Sequence, residues 1–217
     1  MENKQRLYVS RANIVFEKKK DALSADDISE ISTVKNERLR NQKAAARLLL
    51  RLALKEYGLQ EKESIKKTDK GKPYIKKSNL FFSISHAEGL VACVIANMEI
   101  GVDVEKVKKS PSAAIKGILC PGEMSVFQSL SQKEKNEYAC VSWTLKESLV
   151  KLLGCGIEKR PCKIDIEGYS LADEGKIINK NIDGKEVFFC FRKIEDYYVS
   201  TAMFAKEDIE IVSVDLN

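Results

Sequence analysis

The sequence has one histidine, one tryptophan and four prolines in 217 residues. None of its six cysteines (Cys93, Cys120, Cys140, Cys155, Cys162, Cys190) belongs to a C-x-x-C pair. A lone histidine and unpaired cysteines argue against a structural zinc site. No apolar run approaches the ~18 residues of a spanning helix. The longest, Leu90 to Ala96, has the length of a strand, so no membrane association is expected. The opening MENKQR lacks the apolar segment of an export signal. A chain of this length can also build a core without disulfides. The expectation is a cytoplasmic protein with reduced thiols. Charge of one sign is scarce too: the net charge is +5, and the lysine runs are scattered. That balance suits an anionic ligand or an acidic partner better than nucleic acid, whose binders cluster their basic residues on one face.

What is present is patterned. Leu7 to Phe16 reads as a strand, and Ser24-Ala25-Asp26-Asp27 as a helix start. From about Val34 to Tyr57 the spacing predicts a long helix, with Gly58 as its stop. Gly71-Lys72-Pro73 marks a turn. Leu80 to Ile84, Leu90 to Ala96 and Glu99 to Glu105 are β-rich, with Ser85 to Gly89 as a predicted turn carrying His86. Helical segments follow at Ser112 to Leu119, Pro121 to Leu130 and Glu134 to Leu153, the last closed by Gly154-Cys155-Gly156. Val187 to Lys193 and Tyr197 to Ala205 read as strands. Helices and strands come in blocks, which predicts an α+β fold with antiparallel sheet. The two stretches 1–98 and 99–217 look alike in kind.

Three segments concentrate chemistry: FSISH (82–86), IGVDVE (100–105) and WTLKESLVKLLGCGI (143–157). Asp103 and Glu105 are two apart on a predicted strand, so their carboxylates share a face while Val102 and Val104 point to the other. Two such acids repel unless a cation or solvent separates them, and both a Mg²⁺ site and a solvated strand edge fit the pair. Glu147 and Lys151 share a helix face. An exposed ion pair is the plain reading, but Trp143 one turn earlier and the apolar residues around them favour a site. His86 beside Ser85 could act as a base or an anion contact. The two cannot form a triad, because neighbours on a strand point apart. Arg47 lies on the long helix among other cations, where an inward arginine could clamp a phosphate.

Taken in order, GKPYI, FSISHAEGLVACVIA, IGVDVE and WTLKESLVKLLGCGI resemble the Sfp-type 4'-phosphopantetheinyl transferases across Arg38 to Ile157. The resemblance implies transfer of the phosphopantetheine arm of coenzyme A to a serine of an apo carrier protein, releasing 3',5'-ADP. It also implies a pseudo-twofold pair of α+β halves with the active site between them. Carried over by residue, it makes Asp103, Glu105 and Glu147 ligands of Mg²⁺. Glu147 becomes the base for the carrier serine, and Lys151 the cation that neutralises or protonates the departing nucleotide. His86, Arg47, Lys72, Pro73 and Ser85 become contacts of coenzyme A, with Lys35 and Arg38 as further phosphate contacts. A monomer is expected. Two alternatives stand beside it: a metal-dependent phosphodiesterase or nuclease using Asp103, Glu105 and Lys106, and a non-catalytic coenzyme A-binding scaffold. Lys106 adjoins Glu105 and would face the opposite side of the strand, which counts against the nuclease.

Overall fold

The structure is a computed structural model, which describes residues 5–59, 64–76, 78–109, 112–154 and 160–216. Among the described residues, ten strands and five α-helices divide between two compact units, 1–100 with 207–217 and 101–206. Each has its own apolar core.

In the first unit, β1 (Arg6–Arg11), β4 (Phe81–Ala87), β5 (Leu90–Ala96) and β10 (Glu210–Ser213) form a sheet in the order β10-β1-β5-β4. Helix α1 (Ala25–Ser32) is started by a capping box in which Ser24 and Asp27 satisfy each other's backbone N–H. Helix α2 (Glu37–Glu56) starts on the Asn36 side chain and lays Ala44, Ala45, Leu49, Ala53 and Leu54 on the sheet. A short hairpin of β2 (Ile65–Lys67) and β3 (Pro73–Ile75) lies next to β4.

In the second unit, β6 (Ile100–Lys106), β7 (Ile178–Ile182), β8 (Lys185–Ile194) and β9 (Tyr197–Met203) form a sheet in the order β6-β9-β8-β7. Helices α3 (Ser112–Ile118) and α4 (Pro121–Ser129) lead into α5 (Gln132–Leu153), which packs Leu145 and Leu149 among Phe189, Phe191 and Tyr198. Gly154 ends α5 in the left-handed conformation, φ 62°. Cys155 and Gly156, the rest of the expected glycine turn, lie outside the described residues. Both units thus set a long helix on a mainly antiparallel sheet, the α+β class the block pattern predicts.

Three boundaries differ from expectation. β1 stops at Arg11 rather than running to Phe16, because its partner β5 begins at Leu90, opposite Arg11. Phe16 instead opens a 3-10 turn and is buried. His86 is on a strand, not in a turn. It pairs with Val91, and the hairpin needs only Glu88 and Gly89. The last eleven residues do not group with the stretch from 99 onward. β10 pairs in parallel with β1, and Leu216 enters the first core, so burial recruits the tail to the first unit.

Candidate active site

The site in the second unit begins at Gly101. A Cβ at this position would lie 1.9 Å from the Ser148 carbonyl oxygen and 2.5 Å from the Leu152 backbone nitrogen. A glycine here therefore lets the backbone of α5 cross directly over β6. Residues two apart share a strand face, so Gly101, Asp103 and Glu105 all turn toward α5. Asp103 is 5% exposed and Glu105 half-buried, while Val102 and Val104 are fully buried. These acids are not the solvated rim of an edge strand.

Across from them, α5 presents Glu147 and, one turn on, Lys151. The Lys151 ammonium donates to Asp103 Oδ1 at 2.7 Å. Burial, with the Asp103 charge adding to it, pushes Glu105 above the ordinary carboxylate range. The Trp143 indole N–H hydrogen-bonds Glu105 and pulls the other way, as do Lys108 and Lys151. Glu147 is raised by burial first and then by Asp103, with Lys151 opposing. Its Oε1 is buried and makes no hydrogen bond among the described residues. Three carboxylates thus influence one another in a half-buried setting, and Lys151 and Lys108 offset only part of their charge.

That donor set fits a hard, oxygen-seeking cation such as Mg²⁺. The carboxylates are not drawn together around one point. Among the described residues, the trio of acid or thiol ligand atoms that all lie within 4.8 Å is Cys120, Glu123 and Asp165. Like charges stand apart until a cation neutralises them, and Lys151 occupies Asp103 meanwhile. The Cys120 trio is a different case, because Glu123 is already held by the Lys146 ammonium at 2.6 Å.

A cavity of about 450 Å³ opens beside these acids, lined by Glu105, Lys108, Ile118, Cys140 and Trp143 among others. Cys140 donates its thiol to the Glu105 carbonyl, and burial pushes that thiol up to about 12. It is no nucleophile at neutral pH. Lys106 turns away from the acids and lies over the Tyr197 ring, 5.7 Å from its centroid. An acid-acid-lysine nuclease arrangement is therefore not formed.

Apart from Lys151, the expected coenzyme A contacts lie in the first unit. Arg47, on α2, is nine-tenths buried and pairs through Nε with Asp27 Oδ1 at 3.0 Å and through Nη2 with Glu30 at 3.4 Å. Its Nη1 is buried without a hydrogen bond among the described residues. Ser85 is buried and His86 half-buried on β4, against which α2 packs. Lys72 pairs with Glu99 and follows a turn in which the Gly71 N–H reaches the Thr68 carbonyl at 2.8 Å. Pro73 opens β3. Lys35 is exposed, and Arg38 is exposed and paired with Glu88.

Sequence reasoning passed over Glu123 and Lys146. Both are fully buried, and Lys146 also donates to the Ile118 carbonyl at 2.7 Å. The signal was available. Lys146 lies three or four residues from Ser142, Leu149 and Val150, inside the stripe that α5 buries.

A half-buried acid face beside an apolar cavity, on an α+β scaffold, offers oxygen donors of the kind a hard cation takes. Residues 99–202, just under half of the chain, match the 4'-phosphopantetheinyl transferase superfamily. The chain is 31% identical over 144 residues to a 4'-phosphopantetheinyl transferase of Bacillus subtilis, covering 65% of this chain and 63% of that one. It is 30% identical over 124 residues to the 4'-phosphopantetheinyl transferase gsp of Aneurinibacillus migulanus, covering 54% and 52%. It is 28% identical over 146 residues to the 4'-phosphopantetheinyl transferase HetI of a Nostoc species, covering 63% and 62%. The chain thus spans between half and two thirds of the length of these relatives. A crystal structure of Thermotoga maritima holo-[acyl-carrier-protein] synthase aligns with 51% of this chain and 64% of that chain, at 21% identity and a TM-score of 0.33. Among the described residues no helix is long and apolar enough to cross a membrane.

Proposed function

We propose that the protein transfers the 4'-phosphopantetheine arm of coenzyme A to a serine hydroxyl of an apo carrier protein and releases 3',5'-ADP. The observation that carries this reading is the set of Asp103, Glu105 and Glu147 on the facing surfaces of β6 and α5, with Lys151 beside them, inside the segment that matches the superfamily. Phosphoryl-group transfer depends on positioning and charge neutralisation more than on covalent help from the protein. Asp103, Glu105 and Glu147 would hold Mg²⁺, which supplies Lewis acidity toward the pyrophosphate.

In this reading, the serine oxygen attacks the phosphorus that bears the pantetheine. A new O–P bond forms, and the bond from that phosphorus to the bridging oxygen of the nucleotide breaks. Glu147, whose proton affinity is raised by burial, takes the serine proton. Lys151 neutralises or protonates the phosphate that leaves. Arg47, Lys72, Pro73, Ser85 and His86 hold the nucleotide end. The pantetheine arm lies in the cavity beside Glu105 and Trp143, whose lysines suit an acidic carrier. The protein acts as a monomer in the cytoplasm.

The test is to incubate the protein with coenzyme A, Mg²⁺ and a panel of apo carriers and weigh the carriers by mass spectrometry. One added phosphopantetheine on at least one carrier, lost when the cation is chelated, is expected. Carriers that stay unmodified across the panel would overturn the reading. A released nucleotide strand fragment in a parallel incubation would favour the phosphodiesterase.

A further inference from the structure

Lys146 and Glu123 are both 0% exposed, and their charges meet at 2.6 Å. Burying two charges costs several kcal/mol per ion, and apolar residues of similar volume often do as well or better for stability. The apolar contacts of α5 with the sheet, through Leu145, Leu149 and Leu152, already supply burial. The pair is also unusually connected. Lys146 Nζ donates to the Ile118 carbonyl at the end of α3. Glu123 Oε2 accepts the Cys120 N–H at 2.9 Å, and Oε1 accepts the Ile166 N–H at 3.3 Å. One node therefore ties α3, α4, the segment before β7, and α5.

Successive residues on a helix project about 100° apart. Lys146 and Glu147 are neighbours, so the direction of one sets the direction of the other. Leucines alone tolerate a small rotation or slide, whereas a buried ammonium has a single place to go. We propose that Glu123 and Lys146 are positioning residues. They lock the rotation of α5 so that Glu147 stays on the face opposite Asp103 and Glu105, and Trp143 stays against Glu105 and the α3 wall of the cavity. The acid face then keeps its arrangement despite the repulsion within it. This inference rests on the transferase reading for its kinetic consequence, but not for its structural one.

The test uses Trp143, the only tryptophan, as a reporter. Its indole hydrogen-bonds Glu105, so a cation captured there should alter its emission. Mg²⁺ is titrated with coenzyme A present, into the parent and into the double variant Glu123→Leu/Lys146→Met, which removes both charges together. The expected result is a variant that melts near the parent temperature but needs at least tenfold more Mg²⁺ for half its fluorescence change. Its transfer kcat should fall about a hundredfold, with the KM for coenzyme A changed less than threefold. Glu123→Gln keeps one of the two acceptor oxygens for the backbone N–H groups and weakens the tie to Lys146. It should show the same split at three- to tenfold, and it carries the test if the double variant does not fold. A folded double variant, or failing that a folded Glu123→Gln, with the parent's Mg²⁺ titration overturns the proposal. So does a parent whose Trp143 emission ignores Mg²⁺. A parent that responds to Mg²⁺ yet transfers nothing overturns the transferase reading instead, and leaves the positioning role to be judged on fluorescence alone.

Discussion

In the first unit, α2 buries Arg47 and Arg51 against one carboxylate, Asp27, with Glu30 at the edge. In the second, β6 and α5 gather three carboxylates against one lysine. The first cluster is nearly closed. Asp27 takes Arg47 on one oxygen, Arg51 at 2.6 Å on the other, and Ser24 Oγ accepts a further Arg51 N–H at 3.1 Å. The second is open, with two acids raised above their usual range and a buried Glu147 oxygen that lacks a hydrogen bond among the described residues. A buried charge that is already matched is committed to the fold, because removing its partner leaves it uncompensated. Unmatched charges of one sign work against the fold, and they persist where something outside the chain completes them. The difference sets a closed structural cluster apart from the proposed binding site without any reference to relatives. It also marks Arg47 as a mixed case. Its Nε and Nη2 serve the fold, and its buried Nη1 has no hydrogen bond among the described residues.

Three measurements sharpen or break that contrast. The largest effect is expected from Glu147→Gln, which keeps the shape and removes the proposed base. Transfer to the carrier should drop by about 10²–10⁴-fold, read from the rate of carrier mass gain, with the melting temperature unchanged or raised. Parent-like transfer would remove Glu147 from the chemistry.

Next comes Asp27→Ala in the closed cluster. It leaves two arginines buried together, and should cost about 3–5 kcal/mol in a urea titration. A loss below about 1 kcal/mol would mean that the cluster is solvated and the contrast is false.

The smallest effect is one of pH. Glu105 and Glu147 have native values above the ordinary 4.5. The native state therefore binds more protons than the unfolded one. The stability they contribute is fully present below 4.5 and is lost as pH rises through their raised values. Without divalent cation, the melting temperature should fall as pH climbs from about 5 to 7.5. Glu105→Gln should flatten that slope, and saturating Mg²⁺ should reverse it. A slope that survives Glu105→Gln unchanged would place the unmatched charge elsewhere.

Much of this was legible before any coordinates. The α2 and α5 helices follow from apolar spacing, and α5 ends at Gly154 as its glycine stop predicts. The facing of Asp103 and Glu105 follows from the period of a strand. Other features were not legible, for identifiable reasons. Whether those acids were solvated depended on what crosses β6, and Gly101 reveals that only when α5 is seen lying on it. His86 looked like a turn residue because Ser-His-Ala-Glu-Gly is polar and small, yet pairing with Val91 and Leu90 extends β4 through Ala87. The return of β10 to β1 joins positions about two hundred residues apart, and local pattern carries no information at that range. Lys146 read as one cation in a motif because burial is a property of neighbours, and its neighbours come from α3 and α4.

The sequence by itself determined the elements, their faces and the kinds of group available for chemistry, because backbone geometry ties each side chain's direction to its place in a repeat of 3.6 or two residues. Tertiary structure alone decided which charges are matched. Pairing and desolvation depend on distances between segments far apart in the chain, and those distances separate Asp27, held between two arginines, from Glu147, left with an oxygen to spare.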